Sequence, residues 1–367
     1  MRKHKVLVTT FAALFALGVI GVAQAWAQNG VISFRDACND RAYVMRGEAE
    51  SASNPRVLVP LPSPARGSWG RVPLDTSTSG PVTVLLFGLF AVQVNDIGGN
   101  LVPDAPENIR FSAEAIANAH LPASINEALG KFSPTGDRVA LVTQRDFTGD
   151  RGGVLVVADI VRDVNLRITG LTNPTVKDLF DIGSPSDSNI TSDPFMGYPD
   201  FSPDGTQIVV TVYSDLWLLT LNGDRHTLAS SQPLTRTVDD TESEAAFSPN
   251  GNMLAYTAGP NRRFPGGALV GPEIRSLNLF TLDLATLGVT QVTTRKNSPA
   301  GIRSAAWSPD GTVLAFMAEG ERAPRGSPCN GVVNYDIFSI KADGTGMLGL
   351  LTNTVGNGAE YWSQWGW

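Results

Sequence analysis

The stretch Phe201-Ser202-Pro203-Asp204-Gly205, followed at once by Thr206-Gln207-Ile208-Val209-Val210-Thr211-Val212, decides the fold. Proline sets φ near −65° at the first central position of a turn. Asp suits the second, and Gly accepts the left-handed conformation that follows. A run of β-branched residues after such a turn is a strand, so the string is the hairpin between two strands. It recurs as Phe132-Ser133-Pro134-Thr135-Gly136, Phe247-Ser248-Pro249-Asn250-Gly251 and Trp307-Ser308-Pro309-Asp310-Gly311, and in worn form as Trp362-Ser363-Gln364-Trp365-Gly366. An apolar run follows each good copy: Arg138 to Val142, Gln207 to Val212, Met253 to Tyr256 and Val313 to Phe316. The serines are 69, 46, 60 and 55 residues apart, which indicates one repeated unit with variable loops. The aromatic before each turn is expected to pack between neighbouring units.

A second signal counts the units independently. Third-strand runs occur at Ala42–Met45, Phe90–Val94, Val154–Val157, Leu216–Leu219, Leu279–Leu282 and Asp336–Ile340, which makes six. A fourth, outer strand closes on Leu171-Thr172, Leu234-Thr235, Val292-Thr293 and Leu351-Thr352. Four strands per unit and six units predict an all-β, six-bladed β-propeller of four-stranded antiparallel blades. The first strand run, Val31 to Phe34, lacks a turn string before it, and the chain ends at the worn string. The ring is therefore expected to close by the C-terminal strand joining the N-terminal blade. The second unit lacks the string, and Asp75 to Gly80 is read there as a longer turn.

These repeats resemble those of the TolB-type six-bladed propeller family, whose blades carry an aromatic, Ser-Pro-Asp-Gly, two β runs and a closing Leu-Thr. The resemblance covers Ala128 to Trp367 through the motif and Val31 to Asn126 through strand pattern alone. The family's namesake carries an α/β domain before its propeller, whereas here the first strand run follows the leader directly. The resemblance thus implies the fold and not the namesake's role.

At 367 residues and 39.0 kDa the chain has room for two domains on length alone. The repeats assign residues 28–367 to one. The 37 Gly and 24 Pro make about one residue in six, above the usual roughly 12%, and the turns absorb much of that excess. Residues 1–27 read as a signal peptide: Arg2, Lys3 and Lys5, an uncharged run Val6–Val22, then Ala23-Gln24-Ala25 and Ala25-Trp26-Ala27. The alternative is an uncleaved anchor at the short end of what spans a bilayer. Cleavage predicts a periplasmic or secreted protein with no stable membrane insertion, expected to be a monomer. The leader holds three basic residues and no acids, so the mature chain has 25 basic against 35 acidic residues, a net of −10. That balance disfavours a nucleic-acid partner.

Chemistry-bearing motifs are scarce. Only His120 and His226 follow the leader, and no Gly-x-Ser-x-Gly, His-Glu-x-x-His, paired Cys-x-x-Cys or phosphate-loop pattern occurs. Carboxylates remain. Glu127, Asp200, Glu242, Glu244, Arg303 and Glu360 lie shortly before a blade's aromatic, at or near the expected channel mouth. The functional reading is a ring that binds a basic peptide end or a cation; no cofactor is expected, with a channel calcium as the alternative. The plainer reading, an acidic solvated rim, is favoured. Cys38 and Cys329 fall in equivalent loops of the first and last units and are expected to form a disulfide in an oxidising compartment; two free buried thiols are the alternative. Long Pro-, Gly-, Ser- and Asp-rich loops are read at Asn173–Pro199 and Gly259–Ser276. They favour a non-catalytic scaffold for a protein or peptide partner. The competing reading is an extracytoplasmic carbohydrate-active lyase or hydrolase with a carboxylate-based site.

Overall fold

The computed structural model describes residues 31–36, 41–46, 59–60, 75–77, 82–86, 90–97, 100–108, 111–112, 115, 128–144, 153–182, 197–237, 240–260, 277–294, 301–319, 335–346, 349–350 and 360–366. The strands are, in chain order, β1 Val31–Asp36, β2 Arg41–Arg46, β3 Val59–Pro60, β4 Asp75–Ser77, β5 Val82–Leu86, β6 Phe90–Ile97, β7 Asn100–Pro103 and β8 Glu107–Asn108. There follow β9 Ala128–Phe132, β10 Arg138–Gln144, β11 Gly153–Arg162, β12 Ile168–Asp178, β13 Gly197–Phe201, β14 Gln207–Val212, β15 Asp215–Leu221 and β16 Leu228–Pro233. The last are β17 Asp240–Phe247, β18 Met253–Pro260, β19 Asn278–Asp283, β20 Val289–Gln291, β21 Ile302–Trp307, β22 Val313–Glu319, β23 Tyr335–Lys341, β24 Gly349–Leu350 and β25 Glu360–Gly366. A short 3₁₀ turn, Leu179–Asp181, follows β12.

Four successive sheets, β9–β12, β13–β16, β17–β20 and β21–β24, each contain four antiparallel strands in chain order. These are propeller blades. Two further antiparallel sheets have the orders β25-β1-β2-β3 and β4-β5-β6-β7, with β8 also on β6. Asp75 to Ser77 pairs with Leu85 to Thr83, so this segment is the first strand of its sheet and not part of a long turn. The run Asn173–Asp178 likewise extends β12 instead of starting a loop. Thr175 to Asp178 pair with Val157 to Val154, and Asn173-Pro174 form a bulge at the register shift, where a proline costs no ladder bond. Gly259 and Pro260 similarly belong to β18.

The core lies between sheets. In β10, Val139 and Leu141 join one apolar cluster, while Ala140 and Val142 join another with Phe201, Ile208 and Val210 of the next blade. Successive side chains of a strand point to opposite faces, so a blade covered on both sides needs apolar residues at both parities. That requirement explains the unbroken apolar runs of the second strands. The fourth strands are outermost, and β20 is exposed throughout.

The turn strings have a second task. Ser202 Oγ accepts from Gln207 N at 2.9 Å and donates to Asp204 Oδ1 at 2.6 Å, while Gly205 N donates to Ser202 O at 2.8 Å. The same bonds recur around Ser248 with Asn250 and around Ser308 with Asp310. In the first copy Thr135 holds the Asp position, and Asp137 supplies the carboxylate to Ser133 Oγ at 2.8 Å instead. Gly205 and Gly251 have φ of 67° and 73°. A Cβ on Gly251 would meet Pro203 at 3.4 Å, and one on Gly311 would meet Pro249 at the same distance, so each turn nests against the turn before it.

Arg138 fixes the first of these seams. Its guanidinium donates to Arg225 O at 2.6 Å and lies 5.5 Å from the Phe201 ring centroid, with the residue 3% exposed. Arg138→Ala is expected to lower unfolding free energy by about 2 kcal/mol, through lost charge-assisted bonds and lost packing of its stem. Denaturant titration checks it, and Arg138→Lys should recover only part because an ammonium cannot span both the carbonyls and the ring.

Candidate functional site

The first strands of the blades line the axis, and three of them share an irregularity. The pairing registers of β13, β17 and β21 each skip one partner, so two residues oppose one: Tyr198-Pro199, Glu244-Ala245 and Ser304-Ala305. Tyr198, Glu244 and Ser304 have φ of 51°, 57° and 54°. A left-handed conformation is uncommon for such residues and marks a local constraint. β25 repeats the pattern against β1, with Trp362-Ser363 opposite one residue. Trp365 pairs with Ile32 as Phe201 pairs with Ile208 and Trp307 with Leu314. The residue equivalent to the blade aromatic is thus Trp365, three positions later than a reading from Trp362-Ser363 places it. Spacing alone could not reveal that shift, because the bulge adds no sequence mark.

The bulge residues act on one another across three blades. Glu244, 5% exposed, accepts the Ser304 backbone N–H on Oε2, lies 3.5 Å from Arg303 Nη1 through Oε1, and takes the Tyr198 hydroxyl. Burial pushes its carboxyl above the usual range, and Arg303, the Ser304 N–H and Tyr198 oppose that. Asp200 makes a similar tie in another layer: Oδ2 accepts Phe247 N at 2.7 Å, and Oδ1 is 3.6 Å from Lys131 Nζ.

Glu242 belongs to a different cluster. It is 2% exposed, and its N–H donates to Ser214 O at 2.8 Å across the seam between two blades. Thr237 bridges it to Asp215: the Thr237 hydroxyl donates to Glu242 Oε1 at 2.6 Å, and the Thr237 N–H to Asp215 Oδ1 at 3.0 Å. Glu242 Oε2 is buried with no hydrogen-bond partner among the described residues. Burial pushes the Glu242 carboxyl up to about 7; the Thr237 hydroxyl opposes this, and the Asp215 and Asp240 charges add to it. Burial also raises Asp215.

Of the residues singled out from sequence, the structure joins Glu244 with Arg303 and places Asp200 and Glu242 in separate clusters. Glu360 opens β25, opposite Asp36 of β1. Glu127, Cys38 and Cys329 lie outside the described residues. Tyr198, Asp215 and Thr237 escaped the sequence reading. Asp215 had a signal, since it opens a third strand beside the Thr235 that closes the fourth: the Thr235 hydroxyl accepts Leu216 N at 2.8 Å, as the Thr293 hydroxyl accepts Leu279 N at 3.0 Å. Among the described residues no group of three or more His, Cys, Asp or Glu is arranged to hold a metal ion. His226 Nε2 is instead 2.8 Å from Asp159 Oδ1, in a contact between blades.

No family model matches the sequence, and no curated protein matches it. Solved structures do. TolB from Acinetobacter baumannii aligns with a TM-score of 0.51 at 12% identity, over 98% of this chain and 74% of that one. The fold is that of a TolB-like β-propeller. A periplasmic gluconolactonase of Pseudomonas aeruginosa aligns with a TM-score of 0.50 at 11% identity, over 91% of this chain and 98% of that one. A TolB-like fold is thus shared by proteins with unrelated names, and function has to be argued from the site. Among the described residues no helix is long and apolar enough to cross a membrane.

Proposed function

We propose that this chain is an exported, monomeric, non-catalytic propeller that binds a protein or peptide around its channel mouth, on the face opposite the Ser-Pro-x-Gly turns. One observation carries this reading. From β9 to β23, the strands joined at the turn end are separated by no more than six residues, while at the other end β10 and β11 are separated by eight, β18 and β19 by seventeen, and β22 and β23 by fifteen. Long connections on a rigid scaffold are where recognition residues sit. Asp200 and Glu244 are engaged in tying blades; Arg303 is ion-paired with Glu244 as well, but its side chain is 39% exposed, and it is the residue of this set that meets the ligand. In this reading the ring has six blades and closes through β25; the β25–β1 pairing supports it. Export rests on the leader pattern of residues 1–27. No cofactor is assigned.

The test is affinity capture from the exported fraction with residues 28–367, wild type against Arg303→Ala. One stoichiometric partner whose retention falls at least tenfold in the variant is expected, the scale of an interfacial Arg anchor. Equal retention by both proteins rejects the Arg303-centred site.

A second reading, a carboxylate-based carbohydrate-active enzyme, is favoured by one feature. Burial raises the Glu242 carboxyl to about 7 beside the second buried acid Asp215, the pattern of paired acids with separated roles. The near-complete burial of Glu242 weighs against it, since a general acid must reach its substrate. Turnover on a glycan panel that disappears in Glu242→Gln would reverse the order.

A further inference from the structure

The chain contains its own control for the Asp215–Glu242 cluster. One blade further on, Ile302 occupies the place of Glu242: its N–H donates to Leu277 O at 3.0 Å, just before Asn278, as the Glu242 N–H donates to Ser214 O, just before Asp215. Asn278 occupies the place of Asp215, taking the Thr293 hydroxyl as Asp215 takes that of Thr235. Ile302 is 1% exposed. The same backbone seam is therefore built once with a neutral amide and an aliphatic chain, and once with two buried acids. Nothing in the blade geometry demands the acids. A buried ionisable pair is also costly unless its charges are compensated. Arg236 and a side-chain hydrogen bond with Glu242 both favour the charged form of Asp215, while Glu242 Oε2 receives no hydrogen bond from another described residue.

We propose that Asp215 and Glu242 form a proton-sharing pair that makes this blade seam pH-sensitive: it is held closed while one proton is shared and loosened when both carboxyls ionise. A proton on Glu242 removes the need to solvate its buried oxygen and gives the pair an O–H to set against the Asp215 carboxylate. Loss of that proton puts two negative charges on one threonine, in a site with little water. Other groups acting on the pair are Asp240, which adds repulsion, Arg236, which favours Asp215 as the charged partner, and Tyr256, whose hydroxyl is held neutral by burial and by the Glu242 and Asp240 charges. The seam that moves is the contact of the β14–β15 hairpin with β17, at the end of the blades remote from the Ser-Pro-x-Gly turns.

Between 4.5 and about 7 the folded chain holds a proton that the unfolded chain has lost, so this contribution to stability falls as pH rises through that window. The experiment uses residues 28–367, with wild type, Glu242→Gln, and Asp215→Asn, which copies Asn278. Infrared spectroscopy follows the protonated-carboxyl band, and hydrogen exchange follows the Glu242 amide, corrected for intrinsic pH dependence. In wild type a component of the band should disappear with a midpoint near neutrality, and exchange should rise at least tenfold from pH 6 to pH 8. Glu242→Gln should lack that component and keep the one from Glu244, and both variants should show flat corrected exchange. A band unchanged by Glu242→Gln, or wild-type protection independent of pH, overturns the proposal. Neither readout depends on a binding partner, so failure here is distinct from failure of the binding reading.

Discussion

Trp307→Ala is expected to lower the unfolding free energy by about 3–5 kcal/mol, the range for deleting a buried aromatic ring. Trp307 is 4% exposed and packs with Ala246, Ala305, Leu314 and Phe316, so the ring is shared between two blades. Its indole N–H donates to Ala246 O at 3.0 Å across the same seam. Truncation leaves a cavity lined by side chains fixed on two rigid sheets, with little freedom to collapse. It also leaves a buried carbonyl short of a donor. Trp307→Phe separates the two contributions. Phe201 and Phe247 hold the equivalent place in the preceding blades, so the position accepts a phenyl ring. That variant should cost about 1–2 kcal/mol, mainly for the lost bond. Denaturant titration of the three proteins decides it. Equal losses in Ala and Phe variants would show that the hydrogen bond, and not the packed volume, holds the seam.

The repeat was legible because its physics is local. Proline and glycine fix the Ser-Pro-x-Gly turn within five residues, so the string announces itself wherever it occurs. The aromatic before it was read as an inter-unit contact, and Trp307 and Phe247 make such contacts through their packing and backbone. The second strands were legible because burial on both faces demands an unbroken apolar run. What stayed hidden is what depends on register and on neighbouring blades. A bulge leaves no compositional trace, so the left-handed Tyr198, Glu244 and Ser304 were not foreseen, and the terminal aromatic was placed at Trp362 in place of Trp365. The acids before the aromatics were found by position, but sequence could not distinguish one that ties two strands, such as Asp200, from one left half-satisfied, such as Glu242. That distinction lies in a backbone N–H contributed from about fifty residues away. The run Asn173–Asp178 shows the opposite error: its polar composition suggested a loop, but pairing with β11 overrode local propensity.

Glu244 gives the sharpest test of that distinction. Glu244→Ala is expected to cost about 2–3 kcal/mol, because it leaves a buried backbone N–H without its acceptor and removes the carboxylate beside the partly exposed Arg303. The Ser304 N–H would lose its acceptor, and Arg303 its counter-charge, at a point where three blades meet. The residue also sits at a φ of 57°, so alanine brings no relief of the backbone. Glu244→Gln keeps an acceptor for the Ser304 N–H and loses only the charge, and should cost less than half as much. The pH dependence identifies the cause. Burial raises the folded carboxyl above its ordinary range, so the stability Glu244 gains from its neutral form is complete below the unfolded pKa and is lost as pH rises through the raised value. Glutamine does not titrate. The margin of wild type over Glu244→Gln should therefore narrow as pH rises through that value, while the margin of Glu244→Gln over Glu244→Ala stays constant. Thermal or denaturant unfolding of the three proteins across pH measures both margins. A pH-independent margin between wild type and Gln would mean that Arg303 fully compensates the charge. An Ala variant as stable as wild type would remove the inter-blade tie altogether and return Glu244 to the set of residues free to meet a ligand.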